Sequence, residues 1–489
     1  MNNRMIAFKA SDWNGYNASV FLKSLNDTKL SHSDLVVRES LQNSFDARAN
    51  EKIPVDFRMK GFYLNSQQKT FFENILPSDE VARRLVAELK VHDTYCLEIR
   101  DKNSKGLNGP YQEYDEYSGK EIESDENNYR DFVWNMGGSK DRTKGGSFGV
   151  GKTALFLISK VKAVCIYSRT EYNGRYQSRF IIKCFYPYTF SDEKIVQYWF
   201  SKQRANAQSP NNHLPLPFLD EEADYIAQNI GIEIFTGTET GTSSLILDVD
   251  FSTEENVNVD ARDHYVTQFP KIIQKWFWTK LSKSIPLDKQ INISLWDDEH
   301  ELELLNSDDF DSQYCGFHRC LEIWRDEYKK IYKLSEKEKI AYDGHNHFKQ
   351  VILSKPKVML GAVTFVKMRK TPALIEEFFD NDSNLCLARM RDVEFCMQYQ
   401  TFKFPKIEND KVVFAMFHTD PCSWDGGLQD KYIGAVDAAF RKSENKTHEE
   451  WIPESVTGRD NTYVKKRIVE DKRSIGSPFW SKRLSYIYR

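Results

Sequence analysis

The chain has 489 residues, of which 40% are hydrophobic and 29% charged, with a formal net charge of -4; that length predicts roughly two or three domains with ample core. A mean hydropathy of -0.61 places it among soluble globular chains, no apolar run reaches the length of a membrane span, and the charge balance excludes a protein that clamps DNA through net charge alone. Met1-Asn2-Asn3-Arg4-Met5 carries no signal-peptide apolar core, and eight cysteines without framework spacing predict a reducing, cytoplasmic setting.

Residues 1 to about 30 read as an arm with a short amphipathic helix around Ala18–Leu25. Residues 34–50 follow as a helix containing Arg38-Glu39-Ser40-Leu41-Gln42-Asn43-Ser44-Phe45-Asp46-Ala47. Glu39, Asn43 and Asp46 stand at i, i+4 and i+7, within roughly 60° of one another on an α-helix. Val36, Leu41 and Phe45 can face a core. Such a stripe can polarise a water and hold one Mg²⁺ through the amide oxygen, since magnesium takes few protein ligands and keeps most of its waters. The same residues also suit a solvated helix face capped at Ser33.

Pro54–Phe62 alternates as a strand, Ser78–Lys90 reads as a helix, and Tyr95–Arg100 is a strand ending at Asp101. A Gly-bearing turn, Gly106-Leu107-Asn108-Gly109, comes next. The acidic segment Tyr111–Tyr129 reads as a lid or mobile loop, because a charge run is usually solvated. Gly145-Gly146-Ser147-Phe148-Gly149-Val150-Gly151-Lys152 opens an apolar helix at Thr153–Ser159. Val161–Arg169 and Tyr176–Tyr186 read as antiparallel strands, and 190–235 as helical and loop-like, with Pro210, Pro215 and Pro217 in an irregular stretch. Gly241-Thr242 leads the strand Ser243–Val249.

Tyr265–Ser282 reads as an aromatic-rich helix, and from about 285 a second α/β domain is expected. Its strands are Ile291–Leu295, Val358–Val366, Leu385–Met390, Phe395–Phe402 and Val412–Phe417. Cys315 with Cys320, and His345 with His347, offer too few ligands for structural zinc. Near the end, Lys465, Lys466, Arg467, Lys472, Arg473, Lys482, Arg483 and Arg489 alternate with Tyr463, Phe479, Trp480, Tyr486 and Tyr488. Such a segment can contact phosphates and stack bases; a solvated tail is the simpler reading.

In this order, the Glu-Asn-Asp-Ala helix, the Asp on a strand end, the Gly-rich lid and the later Gly-Thr strand resemble the GHKL ATPases: gyrase B subunits, heat-shock chaperones, histidine kinases, MutL and MORC proteins. The resemblance covers about residues 30–250. It implies a mixed α/β (α+β) fold, with a Bergerat-type ATP-binding sandwich over residues 1–255, a transducer-like domain over 256–440 and a basic and aromatic extension over 441–489. It also implies that Glu39 is the general base, that Asn43 holds Mg²⁺, that Asp46 and Ala47 support the nucleotide site, and that Asp101 reads adenine with Thr242 beside it. Gly146, Phe148, Gly149, Val150, Gly151, Lys152 and Thr153 would line the phosphates, with Lys152 in contact with them and Lys140 and Lys144 as weaker contacts. Asp-x-Gly-x-Gly is the family's usual second motif; here Asp101 is followed by Lys102-Asn103-Ser104-Lys105-Gly106, so Gly106 is displaced by one. Asn tolerates left-handed backbone better than most residues.

Gly146–Thr153 also satisfies G-x-x-x-x-G-K-[ST], the phosphate loop of Walker-type NTPases. That loop needs a buried strand directly before it, and 137–144 is polar and Gly-rich. The resemblance therefore implies an ATP- and Mg²⁺-dependent conformational switch that hydrolyses ATP. The alternatives are a Walker-type ATPase and a module that binds ATP without hydrolysis. A basic residue of the second domain, among Lys367, Arg369, Arg389 and Arg391, would reach the γ-phosphate. Partners would be a second copy of the chain or other subunits, with direct nucleic-acid contact possible and no membrane. Ser443–Trp451 and the displaced second motif are similar to GHKL proteins of bacterial restriction and phage-defence clusters, which stand beside nucleases or methyltransferases.

Overall fold

The structure, a computed structural model, describes residues 5–9, 30–134, 150–186, 196–202, 208–252, 259–282, 285–304, 314–354, 357–372, 378–379, 383–390, 393–403 and 407–419. The chain divides into two units, Met1–Ile273 with Pro286–Leu304, and Gln274–Ile285 with Leu305–Arg489. Both mix helices with a sheet, the α/β class expected from the sequence.

The first unit runs β1 (Met5–Lys9), α1 (His32–Asp46), β2 (Val55–Tyr63), α2 (Ser66–Ile75), α3 (Glu80–Val91) and β3 (Tyr95–Lys102). It continues through a π-helical turn at Arg130–Trp134, then α4 (Val150–Leu157), β4 (Ala163–Tyr172), β5 (Arg175–Tyr186), β6 (Val196–Lys202), β7 (Phe218–Leu219), α5 (Asp220–Asn229) and β8 (Gly241–Ile246). The division falls within α6 (Ala261–Phe277); β9 (Ile291–Asp297) and β10 (His300–Leu302) return to the first unit. The ten-stranded sheet has the order β1-β6-β5-β4-β8-β3-β2-β9-β10, with β7 beside β5. Every neighbouring pair is antiparallel except β2 with β9.

One face of this sheet buries Cys96, Cys165, Phe180, Ile182 and Leu245 against Phe72 of α2, Leu85 of α3 and Ile226 of α5. Strand side chains alternate between faces, so Ile99, Asp101, Thr242 and Ser168 belong to the other face, where α1 packs against β2 and against α4. Val36, Leu41 and Phe45 of α1 are buried as their spacing predicts.

Local chemistry explains the boundaries. The cap of α1 is Ser31, whose hydroxyl oxygen accepts from the Asp34 N–H at 3.0 Å, not Ser33, which is buried with its Oγ 3.0 Å from His264 Nε2. The helix stops at Asp46, short of residue 50, because the next residues pair elsewhere: Lys105 N–H donates to the Ala47 carbonyl at 2.8 Å and Ala49 N–H to the Asn103 carbonyl at 3.2 Å. Helix α2, unforeseen in the sequence reading, begins with a reciprocal Asn65–Gln68 capping box.

Three further differences concern pairing. Ile291–Asp297, expected in the second domain, runs parallel to β2 in the first sheet, burying Ile291 and Leu295. Val196–Lys202, within a stretch read as helical and loop-like, is a strand between β1 and β5. Met5–Lys9, at the start of the expected arm, is a sheet strand, while the helix expected at Ala18–Leu25 lies outside the described residues. The acidic segment is anchored rather than free-standing. Buried Asn211 accepts from the N–H groups of Glu113 and Tyr114 at 3.0 and 2.9 Å, and the Arg130 guanidinium donates to the carbonyls of Gln112 and Ile122.

The second unit contains α7 (Cys315–Ile331), α8 (Glu336–Ala341), β11 (Phe348–Ser354), β12 (Lys357–Arg369), β13 (Leu385–Met390), β14 (Cys396–Phe402) and β15 (Lys411–Thr419). Its five-stranded sheet has the order β11-β12-β15-β13-β14, with only β13 and β15 parallel. Helix α7 lays Phe317, Cys320, Leu321 and Trp324 on β12 and β15. Burial pushes the Cys320 thiol well up, and seven cysteines among the described residues are free. No described helix is long and apolar enough to cross a membrane.

Candidate functional site

Asp101 and Thr242 face each other across the antiparallel β3–β8 pair. Thr242 N–H donates to Asp101 Oδ1 at 3.0 Å, the Ser104 hydroxyl donates to the same oxygen, and the Ser44 hydroxyl of α1 donates to Oδ2 at 3.0 Å. Burial pushes the Asp101 carboxyl up, and these three hydrogen bonds oppose it. A carboxylate has about four acceptor positions, so one remains on Oδ2. Two motifs far apart in sequence thus meet at one half-buried acid, tied to the helix that bears the third.

The turn after Asp101 depends on special backbone. Asn103 takes the left-handed region at φ +65, where the family pattern has glycine. Gly106, at φ +63, sits so close to β4 that a Cβ would lie 2.4 Å from the Arg169 carbonyl oxygen, so the displaced glycine fills a position that no side chain can take. Leu107 N–H donates to Ser168 Oγ at 2.8 Å. That hydroxyl donates to the Gly241 carbonyl at 2.8 Å and lies 3.3 Å from Thr242 Oγ1.

On α1, Glu39 is buried at 6% exposure, whereas Asn43 and Asp46 are exposed. The predicted stripe therefore runs from a buried acid to an exposed amide and acid, with Ser44 beside Asn43 turned to Asp101. Ala47 acts through its carbonyl, which receives Lys105 N–H. Gly146, Phe148 and Gly149 lie outside the described residues, as do Lys140 and Lys144. Val150, Gly151, Lys152 and Thr153 open α4, of which only the backbone is described there; α4 packs against α1. An α-helix start presents unpaired N–H groups and partial positive charge to an anion.

Of the basic candidates in the second unit, Lys367 is exposed and 3.9 Å from Glu408, and Arg369 is exposed at the end of β12. Arg389 is buried and donates to Gln400 Oε1 at 2.7 Å, and Arg391 lies outside the described residues. The sequence reading missed Ser44, Ser104 and Ser168. The one available signal was a hydroxyl adjacent to Asn43 within the motif itself.

No protein-family model and no curated protein matches the chain. Among solved structures, it is similar to the ATPase region of Saccharomyces cerevisiae topoisomerase II. The form bound to ICRF-187 (dexrazoxane) is 8% identical with a TM-score of 0.34, and the match covers 89% of this chain and 85% of that one. A second structure of that region is 9% identical with the same TM-score. The B-subunit of the DNA gyrase from Myxococcus xanthus is 8% identical with a TM-score of 0.30, covering 95% of this chain and 92% of that one.

Proposed function

We propose that the first unit binds ATP with Mg²⁺ and hydrolyses it, making the chain a GHKL-type conformational switch. The observation that supports this most is the Asp101 carboxylate: three protein donors occupy it and one acceptor position is left on Oδ2. An acceptor-only group suits the exocyclic amine of adenine and disfavours the carbonyl of guanine. Glu39, buried on the same helix as Ser44, is the base that takes the proton of the attacking water. Asn43, one turn further and exposed, would hold Mg²⁺ through its amide oxygen, and the metal would supply charge neutralisation for the transferred phosphoryl group. The N-terminal turn of α4, with Lys152, faces the phosphates in this reading.

The Walker-type alternative uses the same Gly146–Thr153 segment. A Walker loop follows its strand directly; among the described residues the last strand before Gly146 is β3, which ends at Lys102, and this favours the Bergerat-type reading. The test is phosphate release and ATP binding by the full chain and by Glu39→Ala. The wild type should release phosphate, and E39A should bind ATP while its turnover falls by about 100-fold or more. Turnover by E39A at the wild-type rate overturns the mechanism; ATP binding by the wild type without phosphate release reduces ATP to a structural ligand.

The switch serves, in the same reading, as a dimer or as a subunit of a bacterial restriction or phage-defence complex with a nuclease or methyltransferase. The support is the likeness of Ser443–Trp451 and of the displaced second motif to GHKL proteins of such clusters. Plaque assays with the wild type and E39A test it; equal plating on both argues against a defence role.

A further inference from the structure

A row of polar residues crosses four adjacent strands on one face of the first sheet. Asp101 on β3 lies opposite Thr242 on β8, Thr242 opposite Ser168 on β4, and Ser168 opposite Arg179 on β5. The far end of this row has no part in the nucleotide reading above. It is a cation with 1% exposure, among the largest fully buried side chains described.

Arg179 Nη1 donates to the carbonyls of Leu107 and Gly109 at 2.9 and 2.8 Å, and Nε donates to Gln177 Oε1 at 3.0 Å. Its guanidinium lies 5.1, 5.3 and 5.0 Å from the ring centres of Tyr111, Tyr129 and Tyr172. No ion pair to Arg179 occurs among the described residues, and burial pulls its pKa down to about 10. Ring faces and carbonyl dipoles, with a more distant contribution from the Asp220 carboxylate, offset that burial. A buried cation held this way has two neutral acceptors from one turn, and that turn also gives its Leu107 N–H to Ser168. The turn is thus pinned twice to the row, by Ser168 and by Arg179. Tyr111 and Tyr129, which begin and end the acidic segment, close over the same cation.

We infer that Arg179 is a positioning residue for the nucleotide pocket: by holding the Gly106–Gly109 turn onto the Ser168–Thr242–Asp101 row, it sets the acceptor that selects adenine. This rests on the ATP reading of the site. Without the guanidinium, the Leu107 and Gly109 carbonyls lose their donor, the turn lifts, and Ser168 is free to rotate away from Gly241 and Thr242. The loss then falls first on base recognition; Glu39, on α1, is linked to the row through the Ser44 bond to Asp101 Oδ2 and so feels it less.

The experiment compares wild type, Arg179→Met and Arg179→Lys in the full chain, measuring dissociation constants for ATP and GTP, turnover at saturating ATP, and melting temperature. R179M keeps most of the side-chain volume without the donors and should weaken ATP by about tenfold or more. Its preference for ATP over GTP should narrow, and turnover at saturation should change by less than about twofold. R179K keeps one donor and should fall between. A lower melting temperature with an unchanged ATP dissociation constant and an unchanged ATP-to-GTP ratio overturns the inference. If R179M does not fold, R179K and Tyr111→Leu decide by the same ratio. A wild type that binds neither nucleotide instead removes the ATP reading, and this inference falls with it, a result read from the wild type alone.

Discussion

The Ser44 hydroxyl donates to Asp101 Oδ2 at 3.0 Å, across 57 residues of sequence. This contact ties the helix that carries Glu39 and Asn43 to the strand end that carries Asp101, one residue from Asn43. A shift of α1 must therefore either break a hydrogen bond to a half-buried carboxylate or carry Asp101 with it. Hydrogen bonds to charged groups are worth roughly 1.5–3 kcal/mol, enough to couple the two motifs.

Asp101→Asn should separate binding from stability. Burial raises the folded pKa of Asp101, so its contribution to stability is full below the unfolded value of about 3.9 and is lost as pH rises through the folded one. At neutral pH the ionised group is thus no asset to folding, and the amide can still accept from Thr242 N–H while turning its NH₂ toward Ser44. Stability in urea should change by less than about 1 kcal/mol. ATP affinity should fall by about 100-fold, because an amide NH₂ now meets the amine of adenine. Titration calorimetry showing wild-type affinity would remove Asp101 from base recognition.

The helix with Glu39, Asn43 and Asp46, the strand ending at Asp101 and the strand opened by Gly241-Thr242 were legible because each is a local pattern: a helical stripe, an alternating run, a turn residue before apolar positions. What escaped is non-local. Ser168 and Arg179 have no spacing relation to Asp101; only the register of β3, β8, β4 and β5 sets them in one row. The parallel pairing of Ile291–Asp297 with Val55–Tyr63 is likewise carried by backbone hydrogen bonds between distant segments, which leave no periodic trace. Helix α2 did leave a local sign, the Asn65–Gln68 capping box, in a segment with few apolar residues to mark its buried side.

Gly241→Ala should be far more damaging than its size suggests. A Cβ at Gly241 would lie 2.1 Å from the Asp101 carbonyl oxygen and 2.9 Å from the Phe235 ring. The first obstacle is backbone in a paired strand, so relief requires β3 and β8 to separate at the residues that hold the site. The expected loss is about 3 kcal/mol or more. Gly119→Ala is the control: its φ is +66 but nothing lies within 4 Å, so the cost is the left-handed backbone alone, about 1 kcal/mol. Equal urea midpoints for the two variants would show that β3 and β8 yield easily there.

Acid should weaken the second unit through one pair. Glu394 is buried, which alone would push its carboxyl up, but the Arg325 fork overrides burial with bonds of 3.1 and 2.6 Å and holds it down at about 2. Lys280 and His418 add to the same effect. Because the folded value is depressed, the stabilisation is complete above the unfolded value of about 4.3 and is lost as pH falls through about 2. Glu394→Gln should therefore be less stable at pH 7, where Arg325 loses its charged partner in a largely buried setting, and should show a shallower decline between about pH 5 and pH 2. Because the pair lies in the second unit, the readout is hydrogen exchange in peptides from β13 and β15, corrected for the intrinsic rate at each pH. Parallel acid limbs for wild type and E394Q would mean that the Arg325–Glu394 pair does not govern this unit's acid stability.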